Sequence, residues 1–295
     1  MAINNVEDLQ FATVIISTKD EKGEPNCGTG FIVDLGEKTI KGVPVKIPVI
    51  VTNKHVIKGA VEGTIQFHAV TKEGKQEGQC KFHVENFEKK FYDHPEKDVD
   101  LCAMAIAPLH ELSAKDGIRP YYKSVSLSQV MDEKGLKGIS ATKDIVVVGY
   151  PNAIWDEVNN FPIFRKGILA TAPSVNYKGE EEFLIDCAIY PGSSGSPVFS
   201  VETLFDSKTF VPFLSIKLLG VVFASYEHTA EGEVVIEKIP TSAYSTCIPN
   251  HLGVVIKSTR LFELGRILEE VYMHKEASIL DYRGESFGSI ITMGE

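Results

Sequence analysis

Three short segments carry residue types able to break an acyl bond. The sharpest runs from Tyr190 through Pro191, Gly192, Ser193, Ser194, Gly195 and Ser196 into Pro197, Val198 and Phe199, a tight Gly/Ser turn entering an apolar strand. Such a turn can hold one hydroxyl outward and aim successive backbone N–H groups at one point, which is what a developing acyl oxyanion needs. By itself it would be an ordinary hairpin. The second segment, Val49 to Ile57, is a strongly apolar strand that ends in Thr52, Asn53 and Lys54 and delivers His55, a residue type suited to general base work near neutral pH. The third places Asp98 and Asp100 before the apolar run Leu101 to Ile106. Either aspartate could orient the histidine. Asp100 is favoured, because using Asp98 would leave Asp100 inside the strand, where an unpartnered carboxylate is costly to bury.

Other chemistries find little support. The remaining histidines, at 68, 83, 94, 110, 228, 251 and 274, show no HExxH spacing, and the five cysteines, at 27, 80, 102, 187 and 247, contain no CxxC pair. No metal site is expected. No GxGxxG or Walker-type loop is present, so no cofactor is expected either. An odd number of unpaired-looking cysteines fits reduced thiols rather than a secreted disulfide framework. Cys102 and Cys187 fall in apolar runs and read as small core residues.

The elements that must position these groups are short runs rich in Val, Ile, Thr and Phe, separated by Gly, Pro, Asn and Asp. They fall at Ala12–Thr18, Gly30–Leu35, Val45–Val51, Thr64–Val70, Leu101–Ile106, Ile145–Gly149, Lys166–Thr171, Phe183–Ile185, Pro197–Phe199, Leu218–Ala224 and Gly253–Ile256. Helix-length periodic segments are missing between most of them, which excludes a doubly wound α/β sheet and predicts an all-β barrel or sandwich. One helix is legible late, with Leu261, Leu264, Leu268 and Val271 on one face, Arg260, Glu263, Arg266 and Glu270 elsewhere, and Ser258 or Thr259 as N-cap.

At 295 residues and 43% hydrophobic content the chain can bury a full core, and its net charge of −10 argues against a nucleic-acid binder. Residues Met1 to Asp8 contain two acids and no apolar leader, and no 18 apolar residues run together. The expectation is a soluble, cytoplasmic protein with no membrane partner.

Gly28-Thr29-Gly30-Phe31-Ile32-Val33, the blocks around His55 and Asp100, and Asp186 through Pro197 resemble the ordered blocks of trypsin-like serine proteases, the HtrA-type members in particular. The Ser194 to Phe199 run is also similar to glutamyl endopeptidases. The blocks come in the order His, Asp, Ser, which sets them apart from an α/β-hydrolase; that class runs Ser, acid, His, and its G-x-S-x-G elbow is absent because Ser196 holds the last position.

The resemblance implies two antiparallel six-stranded β-barrels of the chymotrypsin-like kind with a C-terminal helix. Residues 1–115 would form the N-terminal lobe with His55 and Asp100, and 116–140 the connection. Residues 141–256 would form the lobe with Ser194, 257–277 the helix and 278–295 a weakly structured tail. It further implies serine endopeptidase activity through a Ser194–His55–Asp100 triad, with the N–H groups of Gly192 and Ser194 as oxyanion hole. The primary specificity pocket would be lined by Ala188, Ile189, Val222, Ala224 and Ser225. With no carboxylate at 188 and no histidine at 222, that pocket would take small to medium aliphatic side chains. A protein or peptide substrate follows, and a regulatory protein partner is possible; the competing expectation is a catalytically silent peptide-binding scaffold.

Overall fold

The computed structural model describes residues 2–40, 43–114, 117–236, 239–274 and 289–293. In chain order its strands are β1 (Thr13–Asp20), β2 (Pro25–Ile40), β3 (Val43–Thr52), β4 (Ala60–Val70), β5 (Gln76–Glu85), β6 (Tyr92–Asp93), β7 (Cys102–Ala105) and β8 (Arg119–Tyr121). They continue with β9 (Asp144–Gly149), β10 (Ile163–Leu169), β11 (Glu182–Asp186), β12 (Pro197–Phe205), β13 (Pro212–Ile236), β14 (Ile239–Lys257) and β15 (Ser289–Met293). The α-helices are α1 (Lys54–Ile57), α2 (Ala107–Ala114), α3 (Glu133–Lys137) and α4 (Arg260–His274).

The strands form two antiparallel lobes. Strands β9 to β14 close into a six-stranded barrel in the order β10-β11-β14-β13-β12-β9. The N-terminal lobe is a nine-stranded sheet ordered β15-β5-β4-β1-β2-β3-β7-β6, with β8 attached to β4. Its surplus over six lies at the margins: β6 has two residues, β8 three, and β15 is contributed by the end of the chain. The last of these differs from the expected tail, because Ser289–Met293 pairs in register with Gln79–His83.

Period-two alternation explains why the segment before His55 is apolar throughout. On β3, Ile50 enters the core of the N-terminal lobe with Ile16, Ile32, Phe67 and Phe82. Val49 and Val51 point the other way, into a second core between the lobes with Phe31, Val33, Val148, Phe199 and Leu218. A strand buried on both faces has no solvent side on which to carry polar residues. The same inter-lobe core receives Leu261, Leu264 and Leu268 of α4, so the helix clamps the two lobes from outside. Burying side chains of this size contributes about 1.5–3 kcal/mol each.

On the face of α4 away from the leucines, the Arg260 guanidinium pairs with Glu96, Glu181 and Glu263 and is only 14% exposed. The hydroxyl of Ser258 donates to the Met131 carbonyl and that of Thr259 to Glu181, so both are engaged away from the helix.

Candidate active site

The residues ending β3 each fix a neighbour. Thr52 donates its hydroxyl to the Thr29 carbonyl at 2.8 Å, and the buried Asn53 amide donates to the Asp100 carbonyl at 2.7 Å. Lys54 reaches the carbonyls of Glu96 and Lys97, both at 3.2 Å, and so holds the loop that leads to Asp100. The chain then makes the single turn α1, in which Val56 and Ile57 are buried and His55 is left outward.

Asp100 meets His55 twice. One carboxylate oxygen accepts the His55 backbone N–H at 3.1 Å and the other lies 2.5 Å from Nδ1. Burial raises the Asp100 carboxyl, but the His55 ring and the N–H groups of His55 and Lys54 outweigh it and hold the group below the usual carboxylate range. The carboxylate is therefore ionised at neutral pH and fixes Nδ1 as the protonated nitrogen, leaving Nε2 as acceptor. Asp98 is exposed and lies outside this pair.

Ser194 comes from the other lobe, on the turn before β12. Gly192 has φ +87°, and a Cβ there would run into the Tyr150 carbonyl, so only glycine fits. The Pro191 carbonyl accepts the Asn152 N–H at 2.5 Å, and the Ser193 carbonyl accepts the Ser196 N–H at 3.0 Å. In a trans peptide the next N–H points opposite to its carbonyl, so both bonds turn the N–H groups of Gly192 and Ser194 the other way. Among the described residues neither N–H donates to a protein acceptor. Two free donors on one turn are what an oxyanion needs.

His55 and Ser194 line one cavity of about 780 Å³ with Cys27, Trp155 and Gly192. Among the described hydrogen bonds none joins Ser194 Oγ to the imidazole; such contacts commonly tighten only when substrate binds. Cys27 borders the same space, but burial pushes its thiol up, against smaller opposite effects of Ser17 and the Gly28 N–H, so it is a poor nucleophile there. The Cys80 thiol is pushed up to about 12 by burial and is inert. No three His, Cys, Asp or Glu side chains gather as a metal site among the described residues.

The specificity-pocket expectation needs correction at two positions. Ile189 and Val222 are 3% and 0% exposed and pack in the core of the second barrel with Ile145, Phe183 and Val198. Alternation turns both side chains inward, so neither offers surface to a ligand. Ala188, Ala224 and Ser225 remain partly exposed. None of the five borders the cavity shared by His55 and Ser194.

Thr29 is a residue of the site that sequence reasoning left without a role, although it lies within the Gly28 to Val33 block. It is fully buried. Its N–H donates to the Ser194 carbonyl at 2.8 Å and its hydroxyl to the Gly192 carbonyl at 2.9 Å, while the Tyr150 N–H and the Ser196 hydroxyl bond to that hydroxyl. One threonine of the first lobe thus fastens the turn of the second. The only sequence signal was a hydroxyl amid glycines and apolar residues.

A two-lobed antiparallel fold with a histidine–aspartate pair facing a serine turn defines a serine-peptidase architecture. Residues 28–203 match the model of the trypsin-like peptidase domain, and the chain belongs to that family. It is a serine endopeptidase by class, acting on protein or peptide substrates. Among solved structures it is similar to a protease from M. tuberculosis in its active form, at 16% identity and TM-score 0.44, covering 87% of this chain and 80% of that one. It is also similar to the serine endoprotease from Yersinia pestis, at 14% identity and TM-score 0.44, covering 91% of this chain and 65% of that one. A third likeness is the tobacco etch virus protease complexed with product, at 11% identity and TM-score 0.41, covering 77% and 72%. No curated protein matched the sequence. Among the described residues no helix is long and apolar enough to cross a membrane.

Proposed function

We propose that the chain hydrolyses peptide bonds through a Ser194–His55–Asp100 triad and an acyl-enzyme. The observation that carries this is the doubly bonded His55–Asp100 pair bordering the same cavity as a serine whose turn presents two unused N–H groups. His55 Nε2 accepts the Ser194 hydroxyl proton as Oγ attacks the scissile carbonyl, and the imidazolium is stabilised by ionised Asp100. The oxyanion meets the N–H groups of Gly192 and Ser194, each worth on the order of 3 kcal/mol in the transition state. His55 then protonates the leaving amine; water, deprotonated by the same nitrogen, releases the acyl group.

The residue before the scissile bond is small to medium and aliphatic in this reading, which rests on Ala188, Ala224 and Ser225 together with the lack of a carboxylate at 188. A cytoplasmic, reducing setting is supported by the free thiols of Cys27, Cys80, Cys102 and Cys187. Fluorophosphonate labelling tests the whole: only an activated serine reacts. Labelling of the native protein that vanishes in Ser194→Ala supports the triad, and native protein that never labels leaves a silent peptide-binding scaffold.

A further inference from the structure

The cavity beside Ser194 has a charged wall that the hydrolytic chemistry does not use. On β5, Cys80, Phe82 and Val84 enter the core, so Gln79, Lys81 and His83 project from the opposite face of the sheet. On one side their neighbours on that face are Glu62, Thr64, Gln66 and His68 of β4, with Lys19 of β1 beyond Glu62, and on the other side β15 runs along β5 with Ile291 in register with Lys81. A loop of the second lobe roofs one end: Gln79 donates to the carbonyls of Glu157 and Val158, both at 3.0 Å, and Gln66 to the Asn160 side chain at 3.1 Å. The other end stays open as the cavity, with Lys19, Glu62, Lys81 and His83 in its lining.

The charges there do not cancel. Glu62 is engaged by Lys19 at 3.1 Å and lies 3.7 Å from His83. Lys81 has no carboxylate within salt-bridge distance among the described residues and is half-buried. Two lysines against one glutamate leave a positive wall, in a chain whose net charge is −10. A half-buried ammonium in a cleft with low-dielectric walls attracts an anion more strongly than one in open water.

The side of the scissile bond this wall meets follows from the proposed chemistry. The leaving amine must lie between Ser194 and His55 to receive its proton, and of the two cavities that His55 borders only the one lined by Lys81 also reaches Ser194, so the chain after the scissile bond is assigned to that cavity. We infer that Lys81 selects substrates with an acidic side chain on the leaving-group side of the cut. This deepens the peptidase reading and rests on it for the direction of the bound chain.

The test separates the two. Fluorescent peptides that share one sequence before the scissile bond and carry Glu, Gln or Lys at successive positions after it are titrated by anisotropy against Ser194→Ala protein, which cannot turn them over. At one position Glu is expected to bind about five- to ten-fold more tightly than Gln, the size of about 1–1.4 kcal/mol, and Lys more weakly than either. Lys81→Gln should abolish the Glu advantage and Lys81→Arg retain it. Equal affinities for Glu and Gln at every position, or an advantage that survives in Lys81→Gln, overturn the assignment. An acid preference that obeys Lys81 in a native protein unable to hydrolyse the peptides supports the site and overturns only the peptidase reading.

Discussion

The Thr29 hydroxyl lies 2.9 Å from the Gly192 carbonyl and donates to it across the lobe interface. That carbonyl belongs to the peptide whose N–H is on Ser193, one unit beyond the Gly192 N–H assigned to the oxyanion. The bond therefore fixes the turn from one side, while Asn152 fixes the Pro191 carbonyl from the other at 2.5 Å. Neither contact touches a substrate. Both decide where the donors point, which makes Thr29 a positioning residue.

Replacing Thr29 with Val keeps the shape and removes the hydroxyl, leaving the Gly192 carbonyl and the Tyr150 N–H without that partner. Leaving such groups unsatisfied costs about 1–3 kcal/mol. The expected result is a kcat reduced about 10- to 100-fold with KM little changed, since the loss falls on transition-state charge. Thr29→Ser should restore most of it. Steady-state kinetics on a peptide substrate check this, and a loss carried by KM alone would point to substrate binding instead.

The two aspartates give a second test. Ser194→Ala and His55→Ala are each expected to lower kcat/KM by several orders of magnitude with folding intact. Asp100→Asn should come close to them, because the amide cannot hold Nδ1 in its protonated form as the carboxylate does. Asp98→Asn should be mild, as that side chain is exposed and apart from the pair. Kinetics of the four variants, with circular dichroism for folding, decide it; a severe Asp98→Asn would reverse the assignment.

The fold was legible wherever a strand is buried and apolar. Val49 to Val51, Ile145 to Val148 and Leu218 to Val222 stand out because both or most of their faces meet a core. β5 did not stand out: Cys80, Phe82 and Val84 alternate with Gln79, Lys81 and His83, and the first residues of the strand are polar and exposed. β15 escaped for another reason, since its pairing with β5 joins residues about 200 apart and no local pattern encodes it. The His55, Asp100 and Ser194 segments could be read because each joins an apolar strand to a reactive side chain. Thr29 could not, as its role exists only across the interface, and Ile189 and Val222 were misplaced because a resemblance aligns positions along a chain without saying which way each side chain faces.

Specificity before the scissile bond is expected to be graded rather than absolute. In the proposed reading Ala188, Ala224 and Ser225 line the subsite for that residue, and one methylene in a pocket of that kind changes discrimination by only about 1–3 kcal/mol. A positional-scanning library should show Ala, Val and Leu ahead of charged residues, with Ala188→Asp moving the preference toward Lys and Arg. Dominant cleavage by the native protein after Lys, Arg or Glu would refute the assignment.

The end of the chain should matter to the first lobe. Deleting residues 289–295 exposes the edge of β5, whose Gln79 to His83 backbone is paired with β15. Because Gln79 also holds the Glu157–Val158 loop, lower thermal stability and faster amide exchange at 79–83 are expected, together with faster exchange at Asn159 and Asn160. Exchange rates unchanged at 79–83 would show that the strand contributes nothing there.

Stability should fall in mild acid because of His68. Its ring packs against Phe11 and Phe161, with centroids 4.7 Å and 5.2 Å away, and its residue is 8% exposed. Burial drives its pKa down from the usual 6.5 to about 4, with the Asn160 backbone opposing only weakly. The folded protein thus holds His68 neutral where the unfolded chain would protonate it. A group with a depressed folded pKa contributes stability that is fully present above 6.5 and is lost as pH falls toward 4. A shift of this size corresponds to about 3 kcal/mol at most. Urea unfolding at pH 7.5 and pH 4.5 should show that loss in the native protein, and His68→Gln should make the dependence shallower across this window, the remainder coming from His94 and His110, whose burial also lowers their pKa. An equally steep fall in His68→Gln would assign the acid sensitivity to another group.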